Sequence, residues 1–116
     1  MARLSDAEAA TRLIFPFVDG ISEAELADMA TDAYARFDDP AVAPLREIGT
    51  NAWLLELFHG PTLAFKDMAM QLLGRMFDHV LHRRGERVTI VGATSGDTGS
   101  AAIEACRDRE AIEVFI

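Results

Sequence analysis

The stretch RVTIVGATSGDTGSAAIEACRDREAIEVFI, residues 87–116, decides the fold. It opens with RVTIVGA, residues 87–93, a β-branched and almost wholly apolar run that predicts a strand buried on both faces of a parallel sheet. A glycine-rich loop follows, then the helical pattern GSAAIEACRDR, and IEVFI at 112–116 predicts the next strand. Strand, loop, helix and strand form a βαβ unit, so the sequence predicts an α/β fold.

The glycine-rich loop GATSGDTGS, residues 92–100, has the features of an anion site. Its glycines are Gly92, Gly96 and Gly99, and its hydroxyl donors are Thr94, Ser95 and Thr98. Glycines let the backbone turn sharply and approach a ligand, and free amides at a helix start favour a carboxylate or phosphate. The alternative is a structural turn in which Asp97 or Thr98 merely caps the helix. Asp97 could also bond a ligand hydroxyl, and spacing alone leaves these readings open.

Upstream, the stretch LFHGPTLAFKDMAM, residues 57–70, places Lys66 after a Gly-Pro turn and beside Phe65. Desolvation disfavours an ammonium group, and a neutral amine can form a Schiff base with an aldehyde such as pyridoxal phosphate. The alternative is that Lys66 extends to solvent from the first turn of a helix. An amine and an anion-binding loop are two of the parts that a pyridoxal enzyme needs.

The first part of the chain is predicted to be helical. Ser5 is placed to cap a helix that runs to about Ile14, and Ser22 with Glu25 has the spacing of a capping box. We expect this second helix to end near Phe37.

The middle of the chain predicts a loop, a strand and a long helix. DDPAVAP at 38–44 is typical of a loop, and AWLLELF at 52–58 of a strand. From Phe65 to Arg84 the pattern is helical, with apolar residues on one face and polar residues on the other. Gly85 is a suitable residue to end that helix.

Composition excludes several classes of function. Eleven basic against 19 acidic residues give a net charge of −8, which argues against nucleic-acid and membrane partners.

The single cysteine, Cys106, cannot form an internal disulfide and is expected to be a small buried residue. His79 and His82 lie three apart without a third ligand, so a metal site is not expected. The N-terminus lacks the apolar core of a secretory signal, and we expect a cytoplasmic protein.

Two stretches, LLELFHGPTLAFKDMAMQLLG at 54–74 and IVGATSGDTGSAAIEA at 90–105, resemble the threonine synthase family. These are pyridoxal-phosphate enzymes of the tryptophan-synthase β-like fold, fold type II. The resemblance implies that residues 1–116 are the amino-terminal part of such an enzyme. Residues 1–50 would be a mostly helical region, and 51–116 a βαβαβ portion that starts the cofactor-binding region.

The resemblance also implies roles for individual residues. Lys66 would carry the cofactor as an internal aldimine and then move protons between carbons. Phe65 would pack near the cofactor ring, and Asp97 would approach the ring hydroxyl. The substrate carboxylate would be held by Thr94, Ser95, Gly96, Asp97 and Thr98. The resemblance assigns no role to His59: its side chain could help to bind the substrate phosphate or simply belong to the turn, which is the expected reading.

The implied reaction converts O-phospho-L-homoserine and water to L-threonine and phosphate. Two other readings stay open: a related lyase acting on another phosphorylated or hydroxylated amino acid, and a non-catalytic anion-binding domain. The chain contains no second glycine-rich loop for the cofactor phosphate and no partner for the pyridine nitrogen. We therefore expect activity only in a longer protein, and the sequence does not give the oligomeric state.

Overall fold

The computed structural model describes residues 4–116; residues 1–3, with which the predicted helical region begins, lie outside it. Helix α1 spans Asp6–Ile14 and is followed by a 3₁₀ turn, Phe15–Phe17. Helix α2 spans Glu23–Tyr34. Both helices begin at a capping box, in which a serine side chain and a glutamate side chain each accept the other residue's backbone N–H. The predicted helix starts are confirmed.

Helix α2 ends earlier than predicted. Its last residue is Tyr34, whereas the sequence predicted an end near Phe37. The chain turns here, because the Phe37 N–H donates to the Tyr34 carbonyl and the two rings meet edge to face at 5.7 Å. Phe37 is buried in this turn and not on the helix.

An antiparallel hairpin follows the helices. Strand β1, Leu45–Gly49, pairs with strand β2, Ala52–Leu55, and the turn between them includes Asn51 at φ 56°. The predicted strand at 52–58 is confirmed only over its first part. β1 lies in the region predicted to be mostly helical, and the hairpin forms a sheet of its own.

The predicted βαβ unit is confirmed. Helix α3 spans Asp67–Arg84, strand β3 Val88–Val91, helix α4 Asp97–Cys106 and strand β4 Ile112–Phe115. β3 and β4 pair in parallel, with Val88 opposite Ile112 and Val91 opposite Phe115. The order βαβαβ is therefore as predicted, although β2 pairs with β1 and not with this parallel sheet.

One expectation about the parallel strands is wrong. β3 was predicted to be buried on both faces, but its residues alternate between half-buried and exposed. Val88 and Ile90 pack on the core, while the Val91 side chain is 78% exposed. Only one face of this sheet is covered within the described residues.

Helix α3 connects the two parts of the core. Near its start, Leu72 packs with residues of α2 and of the loop before it, namely Ile21, Leu26, Ala30 and Ala33. Near its end, Leu81 packs with Cys106, Ala111 and Ile112 around the parallel strands. The polar face of α3 is also covered, since Asp67, Gln71 and Arg75 are buried. Among the helices of residues 4–116, none is long and apolar enough to cross a membrane.

Helices α3 and α4 lie side by side and run in the same direction. A Cβ on Gly74 would lie 2.6 Å from the Ala105 carbonyl oxygen, and Asp78 pairs with Arg109 at 3.5 Å. Both pairs have the same separation in sequence, which is the pattern of parallel neighbours. The starts of the two helices therefore lie toward the same end of the molecule.

Candidate functional site

Lys66 lies directly before the first residue of α3. Its backbone is helical, at φ −64° and ψ −21°, and its side chain makes no capping hydrogen bond. The side chain is half-buried, and Nζ lies 4.3 Å from the ring centroid of Phe65, a cation–π distance. Lys66 is the only lysine among the 116 residues of the chain. The helix begins at Asp67, two residues later than predicted.

The residue after Lys66 is held by the preceding turn. Asp67 is fully buried, and its two carboxylate oxygens accept hydrogen bonds from Thr62. The Thr62 N–H donates to Oδ2 and the Thr62 hydroxyl donates to Oδ1, both at 2.7 Å. A Cβ on Gly60 would lie 2.5 Å from Asp67 Oδ2. The sequence did not predict this arrangement: Gly60-Pro61 indicated a turn, but nothing local indicated its contact with Asp67.

The glycine-rich loop runs from the end of β3 to the start of α4. Gly96 has φ 146°, a conformation that favours glycine. Thr94 Oγ1 accepts the N–H of Gly99 at 2.9 Å and that of Gly96 at 3.4 Å. Thr94 therefore caps α4, and the predicted alternative of a cap from Asp97 or Thr98 is wrong.

The loop keeps several polar groups open to a ligand. Ser95, Asp97 and Thr98 are exposed, and within residues 4–116 their side chains have no recorded hydrogen-bond partner. The Thr94 hydroxyl uses its acceptor capacity in the cap, so its proton is still available to donate. The first amides of a helix lack internal partners and attract anions.

The loop is braced from the side of β4. A Cβ on Gly99 would lie 2.5 Å from Thr94 Oγ1 and 2.8 Å from Ile116 Cγ2. A Cβ on Gly92 would lie 3.1 Å from Ile116 Cδ1. Side chains of Thr94 and Ile116 thus fill the space that a side chain on either glycine would need. The inner side of the loop is therefore closely packed.

His59 lies just before the Gly60-Pro61 turn, and its ring contacts a neighbouring carboxylate. Its Nε2 lies 2.8 Å from Glu56 Oε2, and Glu56 also lies 3.6 Å from Arg46 Nε. The His59 carbonyl accepts the N–H of Asp38 at 2.9 Å. The ring is thus tied to neighbouring charges of the hairpin region.

Two further groups are not part of the site. Cys106 is buried, as predicted, and its burial raises the pKa of the thiol. His82 Nδ1 lies 2.8 Å from the Asp78 carbonyl oxygen, one turn earlier on α3. Across the part of the chain that the structure describes, no three His, Cys, Asp or Glu residues are grouped to hold a metal ion.

The structure thus brings the predicted residues to one end of the molecule. Lys66 and Phe65 stand at the start of α3, and the loop Thr94–Thr98 stands at the start of the parallel helix α4. An amine beside an aromatic ring thus belongs to the start of one helix, and a loop rich in N–H and O–H donors leads into the start of its parallel neighbour. This arrangement can hold a carbonyl compound at the amine and an anionic group at the loop.

The chain is similar to known proteins over most of its length. No protein-family model matches the chain. The threonine synthase of Pseudomonas aeruginosa is 59% identical over 110 residues, covering 94% of this chain and 24% of that protein. The threonine synthase of Corynebacterium glutamicum is 46% identical over 112 residues, covering 95% of this chain and 23% of that protein.

A solved structure shows the same likeness in three dimensions. The crystal structure of PLP-bound threonine synthase from Brucella melitensis has a TM-score of 0.90 and 56% identity, covering 97% of this chain and 24% of that one. The fold is thus that of one segment of the class of α/β enzymes to which this solved structure belongs. Within that class, the chain is homologous over most of its length to the threonine synthase family. It spans about a quarter of the length of the curated relatives it matches.

Proposed function

We propose that the full-length protein containing this chain is a threonine synthase. It would convert O-phospho-L-homoserine and water to L-threonine and phosphate, with pyridoxal phosphate attached through Lys66. One observation carries the proposal: the only lysine of the chain stands at the start of α3, and the donor-rich loop stands at the start of the neighbouring parallel helix α4.

The residues of the chain fit the cofactor and substrate that this reaction uses. Lys66 offers an amine that lies over the Phe65 ring and is half removed from water, which suits the attachment of an aldehyde. The loop offers exposed hydroxyls and free amides for a carboxylate. Pyridoxal phosphate, when bound, supplies an electron sink that the amino acid side chains lack.

Each residue then has a defined task. Lys66 Nζ would be the point of attachment for the cofactor, and its amine would accept protons from Cα and Cβ of the substrate and return protons to Cγ and Cα. Phe65 packs beside the ring, and the Asp97 carboxylate accepts a hydrogen bond from the ring hydroxyl. The substrate carboxylate accepts bonds from the amides and hydroxyls of Thr94–Thr98.

The wider role follows from the reaction. The protein would be a carbon–oxygen lyase of threonine biosynthesis, acting on a small molecule in the cytoplasm. The net charge of −8 gives no basic field for nucleic acid or an anionic membrane. The buried free thiol of Cys106 suits a reducing compartment.

The test combines a covalent trap with product analysis on the full-length protein. The protein is mixed with pyridoxal phosphate, reduced with borohydride and digested, and the peptide containing Lys66 is weighed. We expect a pyridoxyl adduct on Lys66, absent in Lys66→Ala and in the charge-matched Lys66→Arg. We also expect threonine and phosphate from O-phospho-L-homoserine.

Two results would contradict the proposal in different ways. An adduct on Lys66 without threonine formation would indicate a lyase with another substrate. No adduct, together with anion binding that Lys66→Ala leaves unchanged, would indicate an anion-binding domain without lysine chemistry.

A further inference from the structure

We propose that Asp67 is a positioning residue for Lys66. Together with Gly60 and Thr62 it forms a clamp, here called the Asp67 clamp, that fixes where the lysine amine stands. The proposal rests on the proposed function of Lys66, and it goes further by assigning a role to the turn before the helix.

The Asp67 clamp is a buried contact in which both carboxylate oxygens are hydrogen-bonded. The carboxylate has 0% exposure, and each of its oxygens accepts one hydrogen bond of 2.7 Å from Thr62. Bonds to a charged acceptor are shorter and stronger than those between neutral groups. The Thr62 N–H and hydroxyl thus hold both sides of one carboxylate, so its direction is fixed.

Gly60 makes this approach possible. A Cβ at this position would lie 2.5 Å from both Cβ and Oδ2 of Asp67 and 2.8 Å from its Cγ. Such distances are far inside van der Waals contact, and so the carboxylate can occupy this place only beside a glycine. The turn and the helix start are therefore fitted to each other.

The Asp67 clamp restricts Lys66 because the two residues share a peptide bond. On the other side, the Lys66 carbonyl accepts the N–H of Met70 at 2.9 Å, which continues the helix. The lysine backbone is thus fixed, while its side chain makes no capping bond. Only the side-chain torsions remain free, and the Phe65 ring at 4.3 Å from Nζ limits those.

Helix capping or packing alone would not require this arrangement. The Asp67 carboxylate bonds the preceding turn and not the free amides of α3. Among the described residues no Lys, Arg or His lies within ion-pair distance of it. A buried carboxylate without a cation is costly, and an apolar pair would fill the same space more cheaply. What the polar contact adds is a fixed direction for the residue that follows the lysine.

The experiment measures how fast Lys66 is trapped by pyridoxal phosphate and borohydride in the full-length protein. Thr62→Val keeps the shape and the backbone N–H but removes the hydroxyl bond. Thr62→Ser keeps the hydroxyl. Thr31→Val is the matched control, because the Thr31 hydroxyl donates to the Ala27 carbonyl within α2 and makes no bond to the Asp67 clamp. All variants are assayed well below their melting temperatures.

We expect Thr62→Val to slow the trapping of Lys66 by about tenfold or more, since a small misplacement of a reacting group lowers its rate steeply. Thr62→Ser should stay within about twofold of the parent, and Thr31→Val should not change the rate. If Thr62→Val melts at a lower temperature but is trapped at the parent rate, the Asp67 clamp is only structural and the inference is wrong. If the parent itself is not trapped at Lys66, the proposed function fails, and the inference fails with it.

Discussion

The carboxylate of Asp67 lies where a side chain on residue 60 would stand. A Cβ built on Gly60 would come within 2.5 Å of Asp67 Oδ2 and 2.8 Å of Cγ. The turn HGPT and the helix start FKD are therefore one structural unit, closed by the bonds from Thr62. The lysine at the centre of the candidate site is part of this unit.

Gly60→Ala should destabilise the protein. The added methyl group must displace a buried carboxylate that is bonded on both sides, and overpacking of this kind costs about 1–3 kcal/mol. Gly49→Ala is the control, because its Cβ would meet only Ala52 Cβ at 3.9 Å, an ordinary contact. The measurement is urea unfolding, and equal midpoints for the two variants would contradict the prediction.

Gly74→Ala should also destabilise the protein, although alanine is the better residue inside a helix. Alanine is favoured over glycine inside a helix by about 1 kcal/mol. At this position, however, the new Cβ would lie 2.6 Å from the Ala105 carbonyl oxygen, a backbone atom that moves only with α4. We expect a net loss of up to about 2 kcal/mol, since overpacking outweighs the preference. A higher unfolding midpoint for Gly74→Ala would show that α3 and α4 do not approach so closely.

Thr94→Val should weaken the start of α4. The variant loses the acceptor for the Gly99 N–H, and loss of a helix cap costs about 1 kcal/mol. Thr94→Ser should keep the stability of the parent, because the hydroxyl is retained. Thr98→Val serves as the control, since Thr98 is exposed and makes no cap. The prediction is contradicted if Thr98→Val unfolds at as low a denaturant concentration as Thr94→Val.

Stability should fall at alkaline pH through Cys106. Burial raises the pKa of its thiol above the ordinary value of 9.0, with Arg109 opposing and Asp78 adding to the effect. The folded state therefore holds the thiol proton more tightly than the unfolded state does. The stability from the neutral thiol is complete below pH 9.0 and is lost as pH rises through the folded-state pKa.

The check compares the parent with Cys106→Ala by urea unfolding between pH 7 and 11. The difference in stability between the two should be constant up to about pH 9 and should then shrink. Burial also raises the pKa of Tyr34, and the negative charge of Asp6 raises it further. Both proteins should therefore lose stability at the highest pH. A difference that stays constant over the whole range would show that the folded thiol titrates as it does in the unfolded chain.

The sequence predicted those elements whose signals are local. Ser5 and Ser22 lie three residues before a glutamate, and both capping boxes form. Gly85 ends α3 in the left-handed conformation at φ 63°, as glycine does at many helix ends. The pairing of β3 with β4 follows from a short apolar run on each side of one helix.

The sequence did not predict features that depend on distant contacts. The pairing of β1 with β2 was missed, because its signal is only the short Thr50-Asn51 turn, where asparagine tolerates positive φ. Similarly, Lys66 and the loop 94–98 could be singled out by residue type. The contact of Asp67 with Thr62 and Gly60 could not, since it exists only once the turn folds back on the helix.

The packing of Ile116 against the glycines of the loop has a consequence for the order of events during synthesis. Gly92 and Gly99 rest on a side chain that the ribosome adds well after the loop itself. The loop cannot settle into its final shape until β4 has left the exit tunnel and paired with β3. At ordinary rates of translation this delay is about one to four seconds, during which Lys66 and its helix are already outside.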